Sequence, residues 1–209
     1  MVPLPMALLP VSKGGRHMAA TVTYWSLNVS GEEQRMCEGT EIATFEAVTA
    51  ETVPALAELA GKIWFEYWPA LIGADQTAYM VEQFQSRAAI ERDMREHAYE
   101  YWFVRATDDG RIVGYTGGHV EPETNRFFVS KIYLLAEERG KHFASAVVRF
   151  YEQLCRDRGL QAMYLTVNKG NELGIRAYEG NGFTTIDAVE TDIGQGFIMD
   201  DYIMEKRIG

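Results

Sequence analysis

Arg139, Gly140 and Lys141 form a basic turn, and the apolar residues after it (Phe143, Ala146, Val147, Phe150 and Leu154) recur at helical spacing. A basic, glycine-containing turn that opens a helix is a generic anion site. Free backbone N–H groups and the positive end of the helix dipole point at whatever sits there. Each such interaction is worth only ~0.3–1 kcal/mol when exposed, so several must converge to hold a phosphate. Arg139 and Lys141 add side-chain charge to the same spot. The spacing predicts a short strand over Ile132, Tyr133, Leu134 and Leu135, a charged loop, and a helix opening at Arg139-Gly140. The chemistry suggested is capture of a diphosphate-bearing cofactor. Taken alone, the stretch reads more readily as an exposed, charged helix start, because such starts are commonplace.

The elements that must position this turn follow from the rest of the chain. A strand is expected at Ile42–Val48, and Thr49 is placed to cap a helix with Pro54 in its first turns. Leu56, Leu59, Ile63 and Tyr67 mark that helix's apolar face. Gly73 breaks it, and further helices are expected from about Asp75 to Gln85 and over Arg87–Glu96. Tyr99–Ala106 and Arg111–Val120 read as strands joined by the hairpin signal Asp108-Asp109-Gly110. Phe127–Leu135 is the next strand. After the Arg139 helix, Gly159 sits where a left-handed C-cap belongs. Ala162–Val167 is apolar enough to be a strand covered on both faces. A short helix capped by Asn171 runs through Glu179, and Phe183–Asp192 and Phe197–Lys206 form a hairpin around residues 194–196. The order implies an α/β fold with a mixed sheet and a right-handed helical crossover.

The 209 residues suit one domain, expected from about Glu41, preceded by an extension over residues 1–40 with one strand at Thr21–Val29. Acidic residues exceed basic ones, 30 to 20, and the net charge of −10 argues against nucleic acid or an anionic membrane as partner. No apolar run approaches the ~18 residues of a membrane span, and Met1–Val11 lacks the charged start of a signal peptide, so a cytoplasmic location is expected. The two cysteines, Cys37 and Cys155, are far apart and have no metal-ligand spacing. Reduced thiols and no metal site are expected, with Cys155 a buried structural residue. No phosphate-binding P-loop and no GxGxxG after a strand occurs.

Three pieces, in order, carry a resemblance to the GCN5-related N-acetyltransferase (GNAT) family. Residues 131–144 (KIYLLAEERGKHFA) are similar to the family's strand-loop-helix motif A with its Arg-Gly-x-Gly-x-Gly/Ala core. Residues 165–171 (LTVNKGN) place an Asn at the mouth of the next helix, and residues 176–183 (RAYEGNGF) resemble the family's Tyr-Glu-Lys-x-Gly-Phe ending. The likeness spans about Glu41 to the C-terminus. It implies a GNAT-like mixed sheet of about six to seven strands flanked by helices, with a strand-loop-helix acetyl-CoA site.

The resemblance also assigns expected roles. Arg139, Gly140 and Lys141, with the N–H groups of His142, Phe143, Ala144 and Ser145, would cradle the pyrophosphate of coenzyme A. Ile132, Tyr133 and Leu134 would pair their backbone with the pantetheine arm, and a strand N–H would polarise the thioester carbonyl. Asn171 would bond the arm, or serve only as a helix cap. Tyr178 would protonate the departing thiolate, against the plainer reading of a core tyrosine. His142 replaces the family's second glycine; inside a first helical turn it would keep negative φ and be tolerated. The implied reaction is acetyl transfer from acetyl-CoA to a primary amine by direct attack in a ternary complex, with an acyl-CoA-binding sensor as the alternative.

The general base stays open among Glu121 and His119, which share one face of a strand, Asp200 or Asp201, which face opposite ways, and a water chain. Trp64, Tyr67, Trp68 and Tyr79 form an aromatic cluster that suits packing more than an acceptor wall. The acceptor would be a small-molecule or peptide amine, and the C-terminal hairpin could support a homodimer.

Overall fold

The computed structural model describes residues 42–209. The extension over residues 1–40, its strand at Thr21–Val29 and Cys37 lie outside the described residues. Strand β1 (Ala43–Ala47) leads into four helices, α1 (Val53–Tyr67), α2 (Pro69–Ile72), α3 (Ala74–Phe84) and α4 (Arg87–Glu96). Strands β2 (Glu100–Ala106), β3 (Ile112–Glu121) and β4 (Arg126–Leu134) follow. A 3-10 turn at Ala136–Glu138 then precedes α5 (Phe143–Asp157), β5 (Ala162–Asn168), α6 (Glu172–Gly180), β6 (Thr184–Gly194) and β7 (Phe197–Arg207).

The described strands form one sheet in the order β1-β2-β3-β4-β5-β7-β6. Only β4 and β5 run parallel; the other neighbours are antiparallel. Both faces are covered, which is why β2 to β5 are so apolar. Val104, Phe127, Ile132, Val147, Tyr151 and Leu165 meet on the face that α5 and α6 cover. Leu56, Trp64, Met80, Tyr101, Tyr115 and Tyr133 meet on the face that α1, α3 and α4 cover. Cys155 is fully buried on the α5 side, and burial pushes its thiol up to about 11, which suits a packing role.

The sheet is interrupted twice near its centre. The β3–β4 register slips between Gly117 and Gly118, so Gly117 opposes Lys131 while Gly118 opposes Val129, and Ser130 is the extra residue. A Cβ on Gly118 would lie 2.0 Å from the Phe128 carbonyl oxygen, so the strands close only around a glycine. The second interruption separates β4 from β5. They pair only from Arg126 to Phe128 on one strand and Ala162 to Tyr164 on the other. Beyond that, β5 stays paired with β7 through Asn168, and β4 stays paired with β3 through Leu134. Each strand follows its antiparallel partner, and a V-shaped gap opens toward their C-terminal ends.

Two local expectations are corrected. Thr49 does not cap α1: Thr52 is the N-cap residue, and its hydroxyl accepts from the Thr49 N–H at 2.9 Å in a tight turn before the helix. Leu59 is only half-buried, and Ala60 and Trp64 supply the buried stripe instead.

Candidate active site

The turn between β4 and α5 is organised differently from the sequence expectation. The helix does not open at Arg139-Gly140 but at Phe143, after the 3-10 turn, with His142 as N-cap. His142 does not keep negative φ; it sits at φ +66, and Gly140 at φ +77. The chain must make two left-handed steps to turn from the strand into the helix. Glycine does this without strain, whereas a residue with a Cβ pays roughly 1–3 kcal/mol. Histidine is among the side chains found there more often than most. The first α5 backbone bond is Ala146 N–H to His142 O, so the N–H groups of Phe143, Ala144 and Ser145 have no helical carbonyl to meet.

These N–H groups face a cavity of about 400 Å³ at the open end of the V. Tyr133 and Leu134 from β4, Arg139, Gly140 and His142 from the turn, and Phe143, Ala144 and Ser145 from α5 line one side. Ile63 and Tyr67 of α1, Trp68 between α1 and α2, and Leu173, Ala177 and Asn181 of α6 and its end line the other. Arg139 does not extend freely into solvent. Its guanidinium lies 4.5 Å from the centre of the Tyr67 ring and donates to the Leu134 carbonyl at 3.4 Å. Lys141 turns the other way, pairing with Glu138 at 3.1 Å, and is not part of the cavity wall. Glu138 is itself buried and bound to Arg111, whose guanidinium holds its carboxyl below the ordinary range. Ile132 is buried in the α5-side core, so only its backbone is available to a ligand along β4.

Asn171, at the start of α6, and Tyr178, within it, are buried and do not line the cavity; Asn171 is linked to it through Tyr67, which does. Asn171 caps the helix as expected, its Oδ1 accepting from the Gly174 N–H at 3.0 Å. The same oxygen accepts from the Tyr67 hydroxyl at 3.2 Å, while the buried Nδ2 has no partner. Tyr178 packs edge-on against Phe183, is 1% exposed, and its hydroxyl also has no partner. Burial drives its phenol well above the ordinary tyrosine value, so it is held protonated. Unpaired polar atoms are rare in interiors, and two on one short helix beside a cavity require an account.

The four base candidates separate. Glu121 pairs with Arg126 across β3 and β4, whereas Leu134 pairs with Gly114. Eight residues at 3.3 Å put it roughly 26 Å along the strand from the cavity. There it accepts from Tyr164 and Thr124 and pairs with Arg126. His119 lies near the same end, against Tyr99 and Phe128, and burial lowers its imidazole. Asp200 pairs with Lys169. Asp201 is 2% exposed, opposite Asn168 at the last β5 pair, and its Oδ1 has no partner. Of the aromatic cluster, Trp64 and Trp68 are core residues, though Trp68 reaches the cavity with Tyr67. Tyr79 instead bonds the Ile193 carbonyl at 2.5 Å.

Sequence reasoning missed Lys131, which is 1% exposed on β4 and stands 5.2 and 5.5 Å from the ring centres of Tyr99 and Tyr101. Its only signal was a lysine inside a strand of otherwise apolar residues.

The family model of the GNAT acetyltransferases matches residues 58–183. A mycothiol acetyltransferase of Thermomonospora curvata is 27% identical over 127 residues, which is 54% of this chain; the match spans only 41% of that relative's length. Among solved structures, the PaiA N-acetyltransferase of Thermoplasma acidophilum in complex with coenzyme A superposes with a TM-score of 0.64 at 20% identity, covering 79% of this chain and 98% of that one. The dodecameric spermidine N-acetyltransferase of Vibrio cholerae gives 0.56 at 17% identity, covering 80% and 95%. At these identities the structural likeness is one of fold. The model match covers more than half of the chain and includes the turn, the gap and α6, and on that ground the chain belongs to the GNAT acetyltransferase family.

Proposed function

We propose that the protein is an acetyl-CoA-dependent N-acetyltransferase that acetylates a primary amine by direct attack in a ternary complex. One observation carries this reading. The gap between β4 and β5 opens onto a cavity lined by Leu173 and Ala177 of α6, and in the same segment the buried Asn171 Nδ2 and Tyr178 hydroxyl lack partners. A strand edge, unpaired donors and free helix N–H groups are what a pantetheine arm and a pyrophosphate require, so the residues fit the family's acyl donor. Arg139 and the N–H groups of Phe143, Ala144 and Ser145 would hold the pyrophosphate. The backbone of Ile132, Tyr133 and Leu134 would hold the arm, with Asn171 Nδ2 as a further donor. The thioester supplies the acetyl group.

Tyr178, kept protonated by burial, has a proton to give to the departing thiolate, which leaves more readily as the thiol. A backbone N–H of β4 would stabilise the developing oxyanion. Cys155 is buried among core residues with its thiol raised, which disfavours a covalent acyl-enzyme. The acceptor is an amine; names such as spermidine belong to the relatives. Release of free thiol from acetyl-CoA tests the reading: amine-dependent release is expected across a panel of primary amines. Coenzyme A binding without release on any amine would point instead to an acyl-CoA sensor.

A further inference from the structure

We propose that Asp201 takes the proton from the acceptor's ammonium group before acyl transfer, an assignment that rests on the acetyltransferase reading above. Its place in the fold motivates this. β7 alternates, so Asp201 and Met199 share a face, and Met199 belongs to the core on the side of α1 and α3, where Gln76 Nε2 donates to its sulfur at 2.9 Å. Asp201 is thereby set on the sheet face opposite α5, at the last pair before β5 ends beside the V. The cofactor-cradling helix N-terminus lies on the other face, so donor and acceptor would approach from opposite sides.

A carboxylate this buried normally has all its oxygens bonded. The Asn168 amide beside it donates to the Asp200 carbonyl at 3.3 Å, and Asp201 Oδ1 is left without a partner. The surrounding charges do not neutralise it. Lys169 is ion-paired to Asp200, Glu190 opposes Asp200 across the hairpin, and Gln76 from α3 is neutral. An ammonium N–H is the partner that both the orphan oxygen and the reaction call for. Burial pushes the carboxyl up to about 7, so near neutrality it exists in both forms and can take a proton and release it. The atoms balance. Asp201 Oδ1 accepts one ammonium proton, and the freed nitrogen lone pair forms the C–N bond to the acetyl carbon. The C–S bond then breaks and the thiolate takes the Tyr178 proton, the second proton on the nitrogen returns to the Tyr178 oxygen, and Asp201 releases its proton to solvent. Glu121 and His119 are at the wrong end of the sheet, and Asp200 is engaged by Lys169.

The experiment measures kcat/KM against pH for wild type, Asp201→Asn and Asp201→Glu. Benzylamine and spermidine serve as ammonium acceptors, and hydroxylamine as an acceptor already neutral at pH 7. Asp201→Asn should lose on the order of 100-fold with the ammonium acceptors and lose the acid limb of the profile. Hydroxylamine turnover should fall only a few-fold, Asp201→Glu should recover part of the loss, and coenzyme A affinity by calorimetry should hold in all three. An unchanged profile in Asp201→Asn overturns the proposal, as does an equal loss with hydroxylamine. If wild type binds coenzyme A but acetylates none of these, the acetyltransferase reading has failed instead. Asp201 is then judged by carboxyl-carbon NMR of the coenzyme A complex: a benzylamine-induced shift of its resonance upholds amine contact, and no shift overturns it.

Discussion

The Tyr67 hydroxyl on α1 donates to the same Asn171 oxygen that caps α6. Gly174 N–H can only donate, so the amide oxygen must face the helix, and the Tyr67 bond reinforces that orientation. Nδ2 is therefore the end left for a ligand. The Arg139 guanidinium lies over the same Tyr67 ring, so one tyrosine ties the turn before α5 to the asparagine that caps α6.

Asn171 thus has two separable tasks, and Asn171→Asp distinguishes them. An aspartate caps as well as asparagine and favours the helix dipole, so the melting temperature should hold or rise slightly. It lacks the amide donor, so coenzyme A affinity should fall by about 10-fold, near 1.4 kcal/mol. Asn171→Ala should lose both, with ~1 kcal/mol of stability gone with the cap. Calorimetry of binding beside thermal unfolding reads the two effects; equal affinity in Asn171→Asp would leave Asn171 as a cap only.

Tyr178→Phe separates chemistry from packing. The hydroxyl is buried without a partner, so removing it should leave stability unchanged or slightly improved. Turnover should drop on the order of 100-fold while coenzyme A affinity is kept. Unchanged turnover would remove Tyr178 from the mechanism.

Much of this was legible in the sequence because it is local. The expected helix over Arg87–Glu96 is α4 to the residue, and Asn171 declared itself as a cap by type and position. What was not legible depends on distant pairing. The V between β4 and β5 arises because β5 follows β7, more than thirty residues downstream, and no pattern within either strand records it. Asp200 and Asp201 could be said only to face opposite ways; choosing between them needs the Asn168–Asp201 register and the identity of the helices on each face. The onset of α5 was misplaced because positive φ at Gly140 is a common reading and at His142 is not.

His142 should therefore bear a measurable strain. His142→Gly removes the Cβ penalty of a left-handed residue but frees the unfolded chain, two effects of opposite sign. The net expected is a gain of up to ~1 kcal/mol, whereas His142→Val, which is branched, should lose more than that. Chemical denaturation checks both. A His142→Gly protein clearly less stable than wild type would mean that the imidazole makes a stabilising contact that outweighs the strain.

Asp201 makes stability depend on pH in an unusual sense. Its folded carboxyl titrates at about 7, above the unfolded value near 4, so the folded state binds the extra proton between those limits. Stability from this group is full below about pH 4 and is lost as pH rises through 7. Asp201→Asn removes that loss, so the variant should gain relative to wild type by up to ~4 kcal/mol at pH 8 and by little at pH 4. A residue that only held the hairpin together would give the reverse, a variant weaker at pH 8.

Lys131 should behave as the basic counterpart. Burial lowers its ammonium to about 8, partly opposed by Asp93, and the rings of Tyr99 and Tyr101 return some of the lost hydration. The unfolded lysine titrates near 10.4, so the unfolded state binds the extra proton between about 8 and 10.4. By linkage the wild type gains stability as pH rises across that window, and the cost of the buried charge is fully present below it. Lys131→Met keeps the length and apolar stem of the side chain and removes the charge. It should raise the unfolding midpoint at pH 7, by up to ~3 kcal/mol in free energy, with the advantage shrinking toward pH 10. Paired denaturant titrations at pH 7 and pH 10 decide it. A variant weaker at pH 7 would mean that the contacts of the ammonium with the two rings and Asp93 exceed its burial cost.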